Sequence, residues 1–354
     1  MRRTPLNREW ADRGLAPGWQ AINGNKRSMT LDLQKPEAIT IVKQLAAQAD
    51  VVMENFRPGV MDKLGIGYSA LSAINSMLIY CAISGFGQTG PERLGAGYDG
   101  KIQAMSGIMA ITGHAATGPT RVGFAICDVL SGATAAFGVS SALFQRLRTG
   151  KGQMIDVSML EATLAFLSGQ VADYTVAGHR QHLSGNQAVS RRPTANLFRA
   201  GDGYLLLAVN SEKQYRSLMA AIGRADTLED PRFADWFARQ ENEPVLRAII
   251  EEALSNKDPR EWERILEAAG APCASIWTVE QMIDHPQILA RRAIQEIDTP
   301  YGQLRFAGSG FRLAHGGGRL DCMAPELSAH TDQVLNSLGY GADAIADLRA
   351  REIV

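Results

Sequence analysis

Asp128 is the residue in this sequence with the most chemistry to offer, because of where it stands. It lies in Ala125-Ile126-Cys127-Asp128-Val129 and directly precedes a long apolar helical pattern over 128–147. One reading is a plain helix N-cap, since aspartate is a preferred cap and its carboxylate bonds the exposed N–H groups. The same placement permits a second reading. A carboxylate at a helix N-terminus is held ionised by the dipole and nearby donors. An ionised carboxylate can attack an activated carbonyl and carry the acyl group covalently.

Two glycine-punctuated segments accompany it. Ser84-Gly85-Phe86-Gly87-Gln88-Thr89-Gly90-Pro91 follows a short apolar run. Gly85 and Gly87 would let backbone N–H groups approach an anion, or would simply form a tight turn. The Lys-Ser/Thr of a phosphate-binding loop is missing, so nucleotide hydrolysis is not supported. Asn55-Phe56-Arg57-Pro58-Gly59, with Lys63 shortly after, follows another apolar run. An amide, an aromatic ring and two cations at the end of a strand suit a ligand bearing phosphates and a base. A solvated turn would have the same composition.

Arg191 and Arg192 stand side by side in a loop-like stretch. They could grip a carboxylate in bidentate fashion or remain a solvated pair. His114, His179, His182, His285, His315 and His330 form no compact set. Cys81, Cys127, Cys273 and Cys322 contain no CxxC pair and have no histidine at zinc spacing. That argues against a disulfide framework or a metal site and for a reducing compartment, here expected to be the cytoplasm.

The elements that must hold these residues follow from the hydrophobic pattern. Thr30–Leu33 reads as a strand, Pro36 opens a helix to about Ala47, and strands follow at 50–54 and 78–84. Helices are expected at 99–112 and 128–147, the second one buried, with a strand at 153–159. This alternation predicts an α/β fold with a largely parallel sheet. After Ala177 the composition shifts, and 178–200 is rich in Gly, His, Arg, Ser and Asn, with Pro193. Strands are expected at 203–209 and 273–277, with helices at 211–221, 242–255 and 258–269, then strands at 303–314. The expected organisation is a large domain over 1–184, a smaller inserted α+β domain over 185–280, and a return to the first over 281–354. Residues 1–27 read as a basic loop.

Hydrophobic residues at 45% and charged residues at 21% predict a globular chain. A net charge of -1 provides no field that would recruit nucleic acid or an acidic membrane. No 18 apolar residues run uninterrupted, so no membrane span is expected.

The ordered series of motifs resembles the class III CoA-transferase family, the formyl-CoA and carnitine type. It comprises Asn25-Lys26-Arg27-Ser28, Thr30-Leu31-Asp32-Leu33, Glu54 to Gly59, Ser84 to Pro91, Gly97-Tyr98-Asp99, Asp128, Thr149-Gly150-Lys151-Gly152-Gln153, Ala324-Pro325 and His330-Thr331. The resemblance implies a Rossmann-like large domain, a small domain and an interlocked homodimer. It implies a nucleophile at Asp128 and coenzyme A contacts at Asn55, Phe56, Lys63 and Tyr98. Coenzyme A thioester is then a substrate rather than a tightly bound cofactor. The partners are an acyl-CoA and an acceptor acid, with the Gly185–Arg192 stretch resembling branches that act on dicarboxylates or carnitine. The alternatives are a 2-methylacyl-CoA racemase and a catalytically impaired CoA-binding member. Tyr98 occupies the position of the racemase branch's histidine and is the poorer base. Ser328-Ala329 replaces a usual Gly-Glu. Family members carry a strand–helix–strand unit ahead of Asn25, and the short basic segment here is expected to reflect its loss, with a cost in stability and CoA binding.

Overall fold

The computed structural model describes residues 1–354 apart from Pro5. It forms two compact units, one of Met1–Ile102, Ala125–Phe166 and Met282–Val354, the other of Gln103–Phe124 and Leu167–Gln281. The second unit therefore starts at Leu167 rather than 185, and it also takes in Gln103–Phe124.

The first unit is built around three parallel strands in the order β1 (Val51–Glu54), β2 (Ile79–Ser84) and β3 (Gln153–Ser158). Central β2 is apolar along its length because both its faces are covered. Leu78, Tyr80 and Ala82 point to one side, where they meet Ala46 of α1 (Pro36–Gln48) and Leu71 of α2 (Tyr68–Ile74). Cys81 and Ile83 point to the other, against Ala135 and Val139 of a long helix. The two-residue period of a strand thus sorts one run into two cores. Pro36 at the first turn of α1 and Glu37 beside it favour a helix start there. A further face of α1 packs through Ala38 and Ile41 on Leu335, Ile345 and Leu348 of the C-terminal helices.

α3 spans Asp99–Met105, and Gly107 at φ +92° ends the expected longer helix before a short turn at Ile108–Ile111. α4 (Ile126–Thr149) is the 24-residue helix of this unit, followed beyond β3 by α5 (Met159–Phe166). α4 packs on β2, β3 and α5. Only a narrow stripe of it, Cys127, Ser131, Ala135 and Ala142, is buried. Phe137 is 75% exposed and Leu147 82%, which corrects the expectation of a buried helix. Polar interruptions hid a second property: by length and composition α4 is apolar enough to cross a membrane.

Other expectations also change. Residues 8–12 and 17–23 are helical rather than loop, closed by Asn7 at one N-cap and Pro17 at the next start. Arg2 stacks on Trp19 and donates to the Pro325 carbonyl, while Arg13 lies over Tyr301. These cation–π contacts are tertiary, so no local pattern announces them. Thr30–Leu33 forms no strand; the Asp32 N–H instead donates to the Ile353 carbonyl. The late hairpin pairs Ile294–Thr299 with Gly302–Ala307, earlier than expected.

The second unit pairs β4 (Leu197–Ala200), β5 (Gly203–Leu207) and β6 (Cys273–Ser275) antiparallel. Helices α6 (Glu212–Ala221), α7 (Glu243–Leu254) and α8 (Pro259–Ala268) cover one face. Their boundaries are written in the sequence. Ser211 and Gln214 form a capping box, and Asp258 caps α8 ahead of Pro259. Phe198, Leu205, Leu207, Tyr215, Ile250 and Trp262 make the core.

Candidate active site

The C-terminal ends of β1 and β2 carry the predicted ligand residues, the edge at which open α/β sheets bind ligands. Asn55 follows β1 and donates from Nδ2 to the Ile83 carbonyl at 2.7 Å, tying the two strand ends together. Phe56 is exposed, and its N–H donates to the Glu54 carboxylate at 2.6 Å. Burial raises the proton affinity of Glu54, which that N–H partly offsets. Lys63 ends the short helix Val60–Lys63 and is exposed, as is Arg57.

In the loop after β2, two of the backbone N–H groups that could have met a ligand are taken up within the unit. Gly87, at φ +87°, donates its N–H to Ser84 Oγ at 3.0 Å, and the Gln88 N–H goes to Asp156 at 2.9 Å. Gly85 serves close packing instead. A Cβ there would stand 2.6 Å from the Gly97 Cα, a separation no real side chain tolerates. Neither glycine position admits a side chain, and the Gly97-Tyr98-Asp99 segment is thereby pressed against the end of β2.

Asp99 continues this chain of contacts. Its Oδ2 accepts the Cys127 N–H at 2.8 Å and the Asp128 N–H at 3.4 Å. The N-cap of α4 is Ala125, whose methyl group cannot accept a hydrogen bond, so Asp128 is not the cap. It sits in the first turn, and among the described residues no hydrogen bond to its carboxylate is found. Burial by neighbouring protein, and after it the charge of Asp99, push its carboxyl above the ordinary value. This reverses the expectation that the helix terminus alone would keep it fully ionised: desolvation and a like charge outweigh the dipole. Cys127 beside it is fully buried, and burial pushes its thiol up as well, so it is no competing nucleophile. Tyr98 is 74% exposed.

Asn55, Ile83, Gly85, Gly97, Asp99 and the turn bearing Asp128 are thus joined by direct contacts within one unit. Arg191 and Arg192 belong to the other unit and have partners there. Arg191, in a left-handed backbone conformation, pairs with His179, and Arg192 lies over the Trp236 ring at 4.4 Å. Two other histidines accept from backbone N–H groups, His330 from Ser28 and His285 from Gln287. Sequence reasoning missed Asp99 as a structural neighbour of Asp128. Its place in Gly97-Tyr98-Asp99 was the available signal, but its partner lies 28 residues away.

Residues 1–331 match the family described as CoA-transferase family III. The chain belongs to that family. It is similar to the succinyl-CoA–D-citramalate CoA-transferase of Chloroflexus aurantiacus, with 34% identity over 98% of this chain and 88% of that protein. It is also similar to the acetyl-CoA:oxalate CoA-transferase of Acetobacter aceti, at 38% identity over 77% of this chain and 70% of that one. Among solved structures, a CAIB/BAIF family protein from Brucella suis superposes with a TM-score of 0.82 at 35% identity, covering 90% of this chain and 83% of its own. The family III protein described here is therefore an enzyme, a CoA-transferase, with acyl-CoA thioesters and carboxylates as its substrate classes.

Proposed function

We propose that the protein moves coenzyme A between an acyl-CoA and a dicarboxylic acid, using Asp128 as the covalent carrier. The observation that carries this is the Asp128 carboxylate itself, unpaired at the start of α4 with a raised proton affinity. A carboxylate without donors is a stronger nucleophile than one already hydrogen-bonded. An Asp128 oxygen attacks the thioester carbonyl carbon, the carbon–sulfur bond breaks, and CoA thiolate leaves behind a mixed anhydride. The thiolate attacks the Asp128 carbonyl of that anhydride, releasing the donor acid and leaving an aspartyl-CoA thioester. The acceptor carboxylate displaces the thiolate again, and the thiolate then takes the acceptor's acyl carbon, restoring Asp128. Each step exchanges one acyl bond for another, and no redox partner is needed.

Asn55, Phe56, Lys63 and Tyr98 would hold the coenzyme A moiety. Phe56 and Tyr98 offer exposed rings for the adenine, and Lys63 offers a cation for phosphate. The dicarboxylate preference is supported by the substrates named for the Chloroflexus and Acetobacter relatives. An acceptor-binding role for Arg191 and Arg192 requires them to exchange His179 and Trp236 for the acceptor carboxylate. Gly85 and Gly87 would shape the loop of this site, with the Gly87 N–H already given to Ser84 Oγ. The exposed apolar side of α4 supports a homodimer. The test is CoA transfer from succinyl-CoA to a panel of labelled dicarboxylates. Asp128→Asn should reduce it by at least about 10³-fold, as loss of a nucleophile does elsewhere. Undiminished transfer would overturn the proposal.

A further inference from the structure

We infer that Asp99 is a positioning residue for Asp128, acting through the backbone of the helix turn that carries it. The inference rests on Asp128 being the nucleophile and adds a device that sets its reactivity. A helix begins with N–H groups that lack intrahelical partners, and a side chain at the N-cap ordinarily takes some of them. Ala125 cannot. The N–H groups that a polar N-cap side chain would serve are those of the second and third helical residues, Cys127 and Asp128. Asp99 serves them instead. From the first residue of α3 it accepts the N–H groups of both Cys127 and Asp128 through one oxygen. The cap is thus supplied from outside the helix, and the Asp128 carboxylate is left without a donor.

The geometry that brings Asp99 there is not incidental. Gly85 and Gly97 meet backbone to backbone, so the segment leading into Asp99 is fixed against the end of β2. Ile102 of α3 and Cys127 of α4 then share a buried cluster with Phe86 and Met159, which holds the two helix starts together. A carboxylate fixed at this point also places a like charge near Asp128. The other ionisable groups on elements packed against α4 are Lys101 on α3, Tyr80 and Cys81 on β2, Asp156 on β3 and Glu161 on α5. Lys101 lies over the Phe86 ring and Asp156 accepts from Gln88, and Asp99 is the charge that acts on Asp128. Asp99 therefore does two separable things. Its oxygen orients the turn, and its charge makes Asp128 hold its proton more tightly while strengthening the carboxylate as a nucleophile.

Two variants separate these effects. Asp99→Asn keeps an oxygen that can accept the N–H groups but removes the charge. Asp99→Ala removes both. For Asp99→Asn the acid limb of the kcat profile should move to lower pH, because Asp128 gives up its proton more easily without a neighbouring negative charge. For Asp99→Ala, kcat should fall about 10- to 100-fold with the donor KM unchanged, the cost of a misplaced reacting group. An acid limb that stays in place in Asp99→Asn, or a wild-type kcat in Asp99→Ala, would overturn the inference. Trapping the acyl intermediate with hydroxylamine in parallel distinguishes the two levels. If wild-type Asp128 takes the label and the Asp99→Asn limb does not move, this inference alone fails. If wild-type Asp128 takes no label, the nucleophile reading beneath it fails.

Discussion

At the scale of single residues, Asp128 pays for its reactivity in stability. A carboxyl whose proton affinity is raised by folding binds more protons in the folded chain than in the unfolded one, over the window between the ordinary value and the raised one. Stability therefore falls as pH rises through that window. Asp128→Asn removes the penalty. It should melt at a higher temperature than wild type at neutral pH, and the two should converge at pH below the ordinary carboxylate range. Thermal unfolding followed across pH reads this directly. The gain is modest because Asp128 is exposed and its charge is screened. A variant that melts lower than wild type at neutral pH would show that the carboxylate is stabilising, contrary to this account. Asp128 could be singled out in the sequence because a whole series of motifs surrounds it. Its electrostatics could not be read there. The raised proton affinity depends on Asp99, which sequence separation hides, and on desolvation, which depends on packing. The loop glycines were legible as special positions, whereas the close approach of Gly85 to Gly97 was not. Sequence shows that a side chain is excluded, not whether a ligand or another glycine excludes it.

At the scale of elements, the strands were the clearest features. β1 and β2 are short apolar runs bounded by polar turns, and for central β2 a parallel sheet with both faces covered leaves that signature. α6, α7 and α8 were found close to their ends because caps and prolines mark them. α4 was found, but its surroundings were misjudged. An apolar helix reads as buried, and the pattern does not say which chain does the burying. Val129, Phe137, Phe144 and Leu147 are exposed along α4, more apolar surface than one helix of a folded chain usually leaves to water. A second copy of the chain is the proposed cover. Light scattering should show a dimer, and Phe137→Glu with Phe144→Glu should weaken it to monomers at the same protein concentration. A wild-type chain that is monomeric in solution would contradict this. If it instead sediments with lipid vesicles, the apolar face of α4 meets a bilayer.

At the scale of the whole molecule, the division of labour follows the two units. One carries the parallel sheet, the glycine contact, Asp99 and Asp128; the other carries an antiparallel sheet with Arg191 and Arg192. The α/β class was legible from strand–helix alternation, whereas the assignment of Gln103–Phe124 and Leu167–Ser184 to the second unit was not. Those stretches join it through contacts distant in sequence, such as the Gly185 N–H donating to the Gly113 carbonyl. The N-terminal helices escaped notice for the same reason, since arginine–aromatic stacking holds them to residues near the other end of the chain. The claim on which all of this turns is that Asp128 becomes covalently acylated. Its most direct test is to incubate the protein with succinyl-CoA, quench with hydroxylamine and map the modified peptide by mass spectrometry. The account predicts a hydroxamate on Asp128 that is absent without acyl-CoA and absent in Asp128→Asn. Transfer activity with an unmodified Asp128, or a hydroxamate on another residue, would contradict it.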